Sequence, residues 1–188
     1  MNLFTPFRTT LLLFFLTSFS TMATEIPDYQ VNAKDGNFEV RDYPALTIAR
    51  TASGDGDFMR LFRYIEGANA ADKKIPMTAP VLMQHAGEKT GMSFILPRAL
   101  AAEGPAPTPE NAAVSLDAMP PSRLAVLRFS GGRNETNEQK HLALLRRWVE
   151  DKKLVTVGEP IFAYYDPPWI PGFMRRNEVM LTIVGTQP

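Results

Sequence analysis

The chain has 188 residues, 20 basic and 20 acidic side chains, 45% hydrophobic residues and no cysteine. An even charge balance argues against a nucleic-acid partner, which usually shows a basic excess. The lack of cysteine excludes disulfides, thiolate metal sites, a cysteine nucleophile and a lipoprotein attachment site.

Arg8 precedes an apolar run over 11–19, followed by small residues at Ser18, Ser20, Thr21 and Ala23. That order predicts a signal peptide over 1–23, cleaved after Ala23 or, failing that, after Ser20. The run of 9 residues is too short to span a bilayer, which takes roughly 20. The expected product is one domain over 24–188, periplasmic or secreted, with no stable membrane insertion after cleavage. About 165 residues suffice for a single core.

After a polar lead-in, FEVRDYP (38–44) alternates Phe38, Val40 and Asp42 against Glu39, Arg41 and Tyr43, and LTIARTAS (46–53) alternates again. Gly54 and Gly56 mark a turn. Asp57 is a fitting N-cap for a helix with Phe58, Leu61, Phe62 and Ile65 on one face, ending near Gly67 to Ala70. KKIPMTAPV (73–81) then carries two prolines in what reads as a strand reaching His85. Proline cannot donate to a ladder, so this stretch suits either a pocket wall or a covered sheet edge. GMSFILP (91–97) is expected to pair with it across a turn at Gly87 to Thr90, and 101–111 reads as a surface loop.

From Val114 the pattern restarts. VSLDAMPPSRLAVLRFSGG (114–132) repeats the order strand, proline turn, strand, glycine. A second helix follows, with Thr136 and Gln139 at capping-box spacing and a face of Leu142, Leu145 and Val149, widened by Leu144 and Trp148. EPIFAYY (159–165) and NEVMLTIV (177–184) close the chain. Each half is two strands, a helix and two strands, arriving as hairpin-like pairs. The predicted fold is α+β: a pseudo-symmetric antiparallel sheet or open barrel with two flanking helices.

FEVRDYP, FRYIEGAN (62–69), KIPMTAPV (74–81) and RRNEVML (175–181) together resemble the SOUL haem-binding protein family over about 29–184. The resemblance implies a distorted antiparallel β-barrel built from a duplicated unit, similar to the drug-binding domains of bacterial transcription regulators. It also implies that haem or a related small-molecule tetrapyrrole binds in an apolar groove. Where family members are proposed to hold haem iron through histidine, that residue lies between the Arg and Tyr of an E-x-R-x-Y motif. Glu39, Arg41 and Tyr43 match, but Asp42 fills the position, and carboxylate is outside the usual set of haem ligands. Haem then binds without that ligand, or another residue supplies it, or the ligand is not haem.

The expected cofactor-binding residues are Met77, Val81 and Met83 as apolar wall, Phe58 and Phe62 from the first helix, and Trp169, Arg175 and Arg176 from a proline-stiffened loop. There, aromatic faces beside guanidinium groups suit a flat dianionic ligand. His85 shares strand parity with Met77, Val81 and Met83 and is the candidate iron ligand; an exposed turn histidine is the plain alternative. Glu178 shares a face with Met180 and Thr182. An inward carboxylate of raised pKa would make it an acid or base in an enzyme acting on a small apolar molecule, and an envelope peptide-binding module is the other alternative. No recognisable catalytic or metal motif occurs, and the oligomeric state is not set by the sequence.

Overall fold

The computed structural model describes residues 24–52, 57–86 and 89–186. The expected signal peptide and the glycine turns at Gly54, Gly56 and Gly87 lie outside the described residues. Nine strands form a single antiparallel sheet: β1 (Gln30–Asp35), β2 (Phe38–Tyr43), β3 (Leu46–Thr51), β4 (Val81–Ala86), β5 (Lys89–Ile95), β6 (Val114–Met119), β7 (Ser122–Phe129), β8 (Leu154–Tyr164) and β9 (Asn177–Thr186). Among the described residues three α-helices accompany them: α1 (Asp57–Ile65), α2 (Arg98–Glu103) and α3 (Glu135–Asp151). The strand order is β1-β2-β7-β9-β8-β4-β5-β3-β6. Leaving out β1, exchanging β2 with β6, β3 with β7, β4 with β8 and β5 with β9 turns this order into its own reverse, which is the duplication expected from sequence.

The sheet curls strongly because the chain forces it to. Pro44 and Ala45 alone join β2 to β3, which stand six strand positions apart. Six spacings of about 4.8 Å would separate them by roughly 29 Å in a flat sheet, whereas two linking residues reach roughly 10 Å. Pro120 and Pro121 make the equivalent corner between β6 and β7. These two proline junctions are therefore corners across the gap, not hairpins; β4–β5 and β8–β9 are the consecutive paired strands of each half. Closure stops short of a barrel, since β1 and β6 are the open edges of the hydrogen-bonded order.

The two faces of the sheet bury different cores. On the outer face, α1 and α3 cover Phe94, Leu127, Phe162, Val179 and Leu181. On the inner face, Tyr43, Ile48, Leu82, Leu124, Ile161 and Met180 meet across the curl. They leave a void of about 20 Å3 at Pro80 and Met180 and, toward Gln84 and Asp117, a hollow of about 350 Å3.

Several local expectations are corrected. The polar lead-in contains a strand, β1, whose six residues are all exposed and which is held by its pairing with β2 alone. α2 occupies the start of the segment read as a loop. The cap of α3 is Asn134, whose side chain accepts from the Asn137 N–H, not Thr136. Leu144 is exposed, so the buried stripe is Leu142, Leu145 and Val149. β8 begins at Leu154, five residues earlier than read, because its register breaks around Gly158, which has φ +74°.

Residues 74–80 are not strand. The Ile75 N–H donates to the Ile65 carbonyl (2.8 Å), the Ala79 N–H donates to the Glu25 carbonyl (2.8 Å), and the Thr78 hydroxyl donates to the Ile95 carbonyl. The ladder starts only at Val81, so neither proline interrupts it. Pro80 instead faces the inner void.

Candidate functional site: a slot between two helices

α3 packs on β7, β8 and β9, and α1 packs on β3, β5 and β6, leaving β4 between the two footprints. From β9 to β3 is four strand positions, about 19 Å at 4.8 Å each. Directly packed helices stand about 8–10 Å apart. The difference leaves a shallow slot between the helices over the outward residues of β4, where Ile75 and Met77 join the same core.

Val81, Met83 and His85 alternate along that floor. Val81 is partly buried and Met83 buried. Their register partners are Phe94 and Met92 on β5, and Tyr164 and Phe162 on β8. Met77, entering β4, packs on the same core.

α1 supplies an apolar wall. Its buried apolar and aromatic residues are Leu61, Tyr64 and Ile65, and the Tyr64 hydroxyl donates to the Pro107 carbonyl. The helical face is thus rotated from the expected Phe58, Leu61, Phe62, Ile65 stripe. Phe58 and Phe62, 41% and 36% exposed, fall on the opposite flank, stacked on each other at 6.0 Å. Phe58 meets Phe94 edge-on at 5.4 Å. Two large aromatics left half-open beside an apolar floor are surface available to a flat ligand.

The other side of the slot is polar. Glu138 of α3, 7% exposed, accepts from the Tyr164 hydroxyl through one oxygen and faces His85 Nε2 at 3.1 Å through the other. His85 Nδ1 lies 2.9 Å from the Thr90 hydroxyl. Burial, then the Glu138 carboxylate, pushes the Tyr164 phenol far above its ordinary range, so it donates and does not ionise. Both ring nitrogens of His85 are engaged, and iron ligation there requires one of these bonds to break.

The loop residues have other partners. The Arg175 guanidinium donates to the carbonyls of Pro168 and Ile170 and staples its own loop. Arg176 donates to Glu178 at 2.8 Å and lies 3.8 Å over the Tyr165 ring. Trp169 is 79% exposed. The structure therefore gathers Met77, Val81, Met83, Phe58, Phe62 and His85 around the slot floor and α1 wall. Arg176 belongs to the inner face instead.

Glu178 is fully buried on that inner face. Arg41 donates to both its oxygens (2.8 and 3.0 Å), Arg176 to one, and the Tyr165 hydroxyl donates at 2.9 Å. Burial raises its pKa, but the hydrogen bonds and charge of Arg41, then of Arg176, outweigh that and hold it below the ordinary carboxylate range. The raised pKa needed for an acid or base is corrected by these guanidinium groups: Glu178 is a locked anion. Burial raises the Tyr43 phenol to about 12 at the edge of the same network.

Asp42 lies away from the slot, beyond α3. It lines a hollow of about 640 Å3 with Val40, Arg123 and Ile183. Arg123 donates to both its oxygens at 2.7 and 2.8 Å and lowers its pKa to about 2. Among the described residues no group of three His, Asp or Glu side chains is placed to hold a metal ion, and no helix is long and apolar enough to cross a membrane.

The family model described as SOUL heme-binding protein matches residues 24–182. The chain belongs to that family. No curated protein matches this SOUL chain in sequence. Among solved structures, it is similar to the C-terminal domain of EcmrR, at 13% identity and a TM-score of 0.56, covering 84% of this chain and 99% of that one. It is also similar to a hydrolase from Listeria innocua, at 10% identity and a TM-score of 0.59, covering 81% and 94%. At these identities the likeness of the SOUL chain to both is one of fold.

Proposed function

We propose that this SOUL protein binds haem or a related tetrapyrrole in the slot between α1 and α3, as an exported carrier or sequestering protein. Family membership supports the ligand class. The observation that carries the site is the half-open Phe58 and Phe62 pair beside the partly buried Val81 and the buried Met83. Met77, Val81, Met83, Phe58 and Phe62 would hold the macrocycle by apolar contact. When bound, haem would supply an iron centre that His85 could ligate only by giving up a hydrogen bond. Covering about 300 Å2 of apolar surface is worth about 7 kcal/mol before the costs of association, so useful affinity needs no axial bond. The inner face offers a void of about 20 Å3 and a more polar hollow of about 350 Å3 lined by Ile48, Arg50, Gln84 and Asp117, without the exposed aromatic pair of the slot.

The test is a titration of residues 24–188 with hemin and with iron-free protoporphyrin. Saturable binding of both with similar affinity is expected. Hemin-only binding would move the account to direct iron ligation, and failure of both to saturate would overturn it. Export is tested separately by N-terminal sequencing of the protein recovered from the cell envelope, which should begin at Thr24 or Thr21.

A further inference from the structure

The segment between β8 and β9 holds bare hydrophobic side chains in a fixed frame. Trp169, Phe173 and Met174 are 79%, 80% and 65% exposed, more than any other large hydrophobic side chain among the described residues. Their backbone is nonetheless well tied. Pro167, Pro168 and Pro171 restrict it, the Ile170 N–H donates to the Pro167 carbonyl (3.1 Å) and the Met174 N–H to the Pro171 carbonyl (2.9 Å). The Arg175 guanidinium donates to the carbonyls of Pro168 and Ile170, and the Gly131 N–H reaches the Gly172 carbonyl at 2.8 Å, joining this loop to the one before α3.

The three side chains open roughly 450 Å2 of surface to water, a patch of the size that marks an interaction site on a monomer. A stable protein interface takes about 800 Å2 from each partner, so the tip alone is too small for a second copy or a globular partner. A bilayer interface makes no demand for a matching surface, and aromatic side chains settle there at headgroup level. Charge points the same way. Arg128 and Arg133 are exposed, three residues before and two after Gly131. Neither meets a carboxylate among the described residues, and Arg175 meets only carbonyls. Against these three cations stand Glu135, at the start of α3, and Asp166, which accepts from the Arg176 N–H.

We propose that Trp169, Phe173 and Met174 form an anchor that docks this protein reversibly on a phospholipid bilayer, with Arg128, Arg133 and Arg175 as a collar for anionic headgroups. Guanidinium groups suit the collar because they are always charged and pair with phosphate through two donors. Tyr164, two residues before the loop's Asp166, is the register partner of Val81, so docking brings one end of the slot toward the membrane surface. The anchor does not depend on what fills the slot.

The probes are vesicles of phosphatidylcholine alone and of phosphatidylcholine mixed with phosphatidylglycerol, co-sedimented with residues 24–188 while tryptophan emission is followed. Binding to both is expected, tighter on the mixed vesicles and weakened there by salt. The emission should shift to the blue as Trp169 leaves water, since Trp148 is already stacked on Phe38. Trp169→Ser/Phe173→Ser should lower the affinity at least ten-fold with a thermal midpoint within a few degrees, because both side chains are exposed. Arg128→Gln/Arg133→Gln should keep binding to phosphatidylcholine and lose the preference for phosphatidylglycerol; a parent without that preference overturns the collar. No binding of the parent to either vesicle, or binding that survives the double Ser variant, overturns the anchor. So does a parent dimer in sedimentation velocity that binds no vesicle and that the double Ser variant dissociates, which would make the tip a contact between copies.

Discussion

Glu178→Gln is the substitution for which the structure makes the sharpest statement. The change is nearly isosteric, so it leaves no cavity, but it removes the charge that faces Arg41 and Arg176. Arg41 is 2% exposed and Glu178 0%, so neither can turn to water. Breaking one side of a buried, hydrogen-bonded pair costs about 3–5 kcal/mol because the surviving charge stays buried, and the lower half of that range applies because Arg41 keeps Glu39 at 2.7 Å. Whole domains are stable by only about 5–15 kcal/mol. With a urea slope of about 2 kcal/mol per molar, the midpoint should fall by about 2 M with the slope unchanged. The assay is urea unfolding at pH 7 followed by far-UV circular dichroism. Porphyrin affinity of the folded single variant should equal that of the parent, because Glu178 faces away from the slot. A loss below about 1 kcal/mol would refute the reasoning that the guanidinium groups lock the carboxylate, and a folded variant that no longer binds porphyrin would refute the separation of the two faces.

The same carboxylate sets an acid limit. Its folded pKa lies below the ordinary 4.5, so its stabilising contribution is complete above about pH 4.5 and is lost as pH falls through the folded value; urea midpoints between pH 6 and 3 should drop in the parent and flatten in Glu178→Gln. Phe58→Ser/Phe62→Ser should lower porphyrin affinity ten-fold or more with a thermal midpoint within a few degrees, since both side chains are half-exposed; unchanged affinity by titration would remove them from the site. His85→Ala should leave iron-free porphyrin binding intact, because the ring is held by Glu138 and Thr90, and a Soret shift seen with hemin in the parent but not in this variant would instead mark it as the iron ligand. Gly131→Ala should cost about 1–3 kcal/mol in urea unfolding, because φ is +121° and the new Cβ would lie 2.6 Å from the Asn137 amide nitrogen; a neutral result would show that this turn relaxes freely.

The duplicated unit was legible because both halves carry the same alternation and the same proline junctions. What those junctions do was not legible: a two-residue link between strands reads as a hairpin, and only the pairing of β2 with β7 and of β3 with β5 and β6 turns it into a corner. The alternation in FEVRDYP was read correctly, but its polar parity is buried, because Arg41 finds Glu178 at a separation of 137 residues, beyond the reach of any local pattern. Met77, Val81 and Met83 were placed on one face by parity alone. The slot they floor was not visible, since it depends on which strand both helices leave uncovered. The Arg175–Arg176 pair stands out through its aromatic neighbours, but its guanidinium groups are occupied by loop carbonyls and by Glu178.

The most direct test of the account is amide chemical-shift mapping of residues 24–188 on addition of iron-free protoporphyrin, which avoids paramagnetic broadening. Perturbations concentrated in α1 from Asp57 to Ile65, in β4 from Val81 to His85 and around Glu138 of α3 are the expected result. Perturbations centred instead on Val40, Asp42, Arg123 and Ile183, around the hollow beyond α3, would contradict the assignment of the slot.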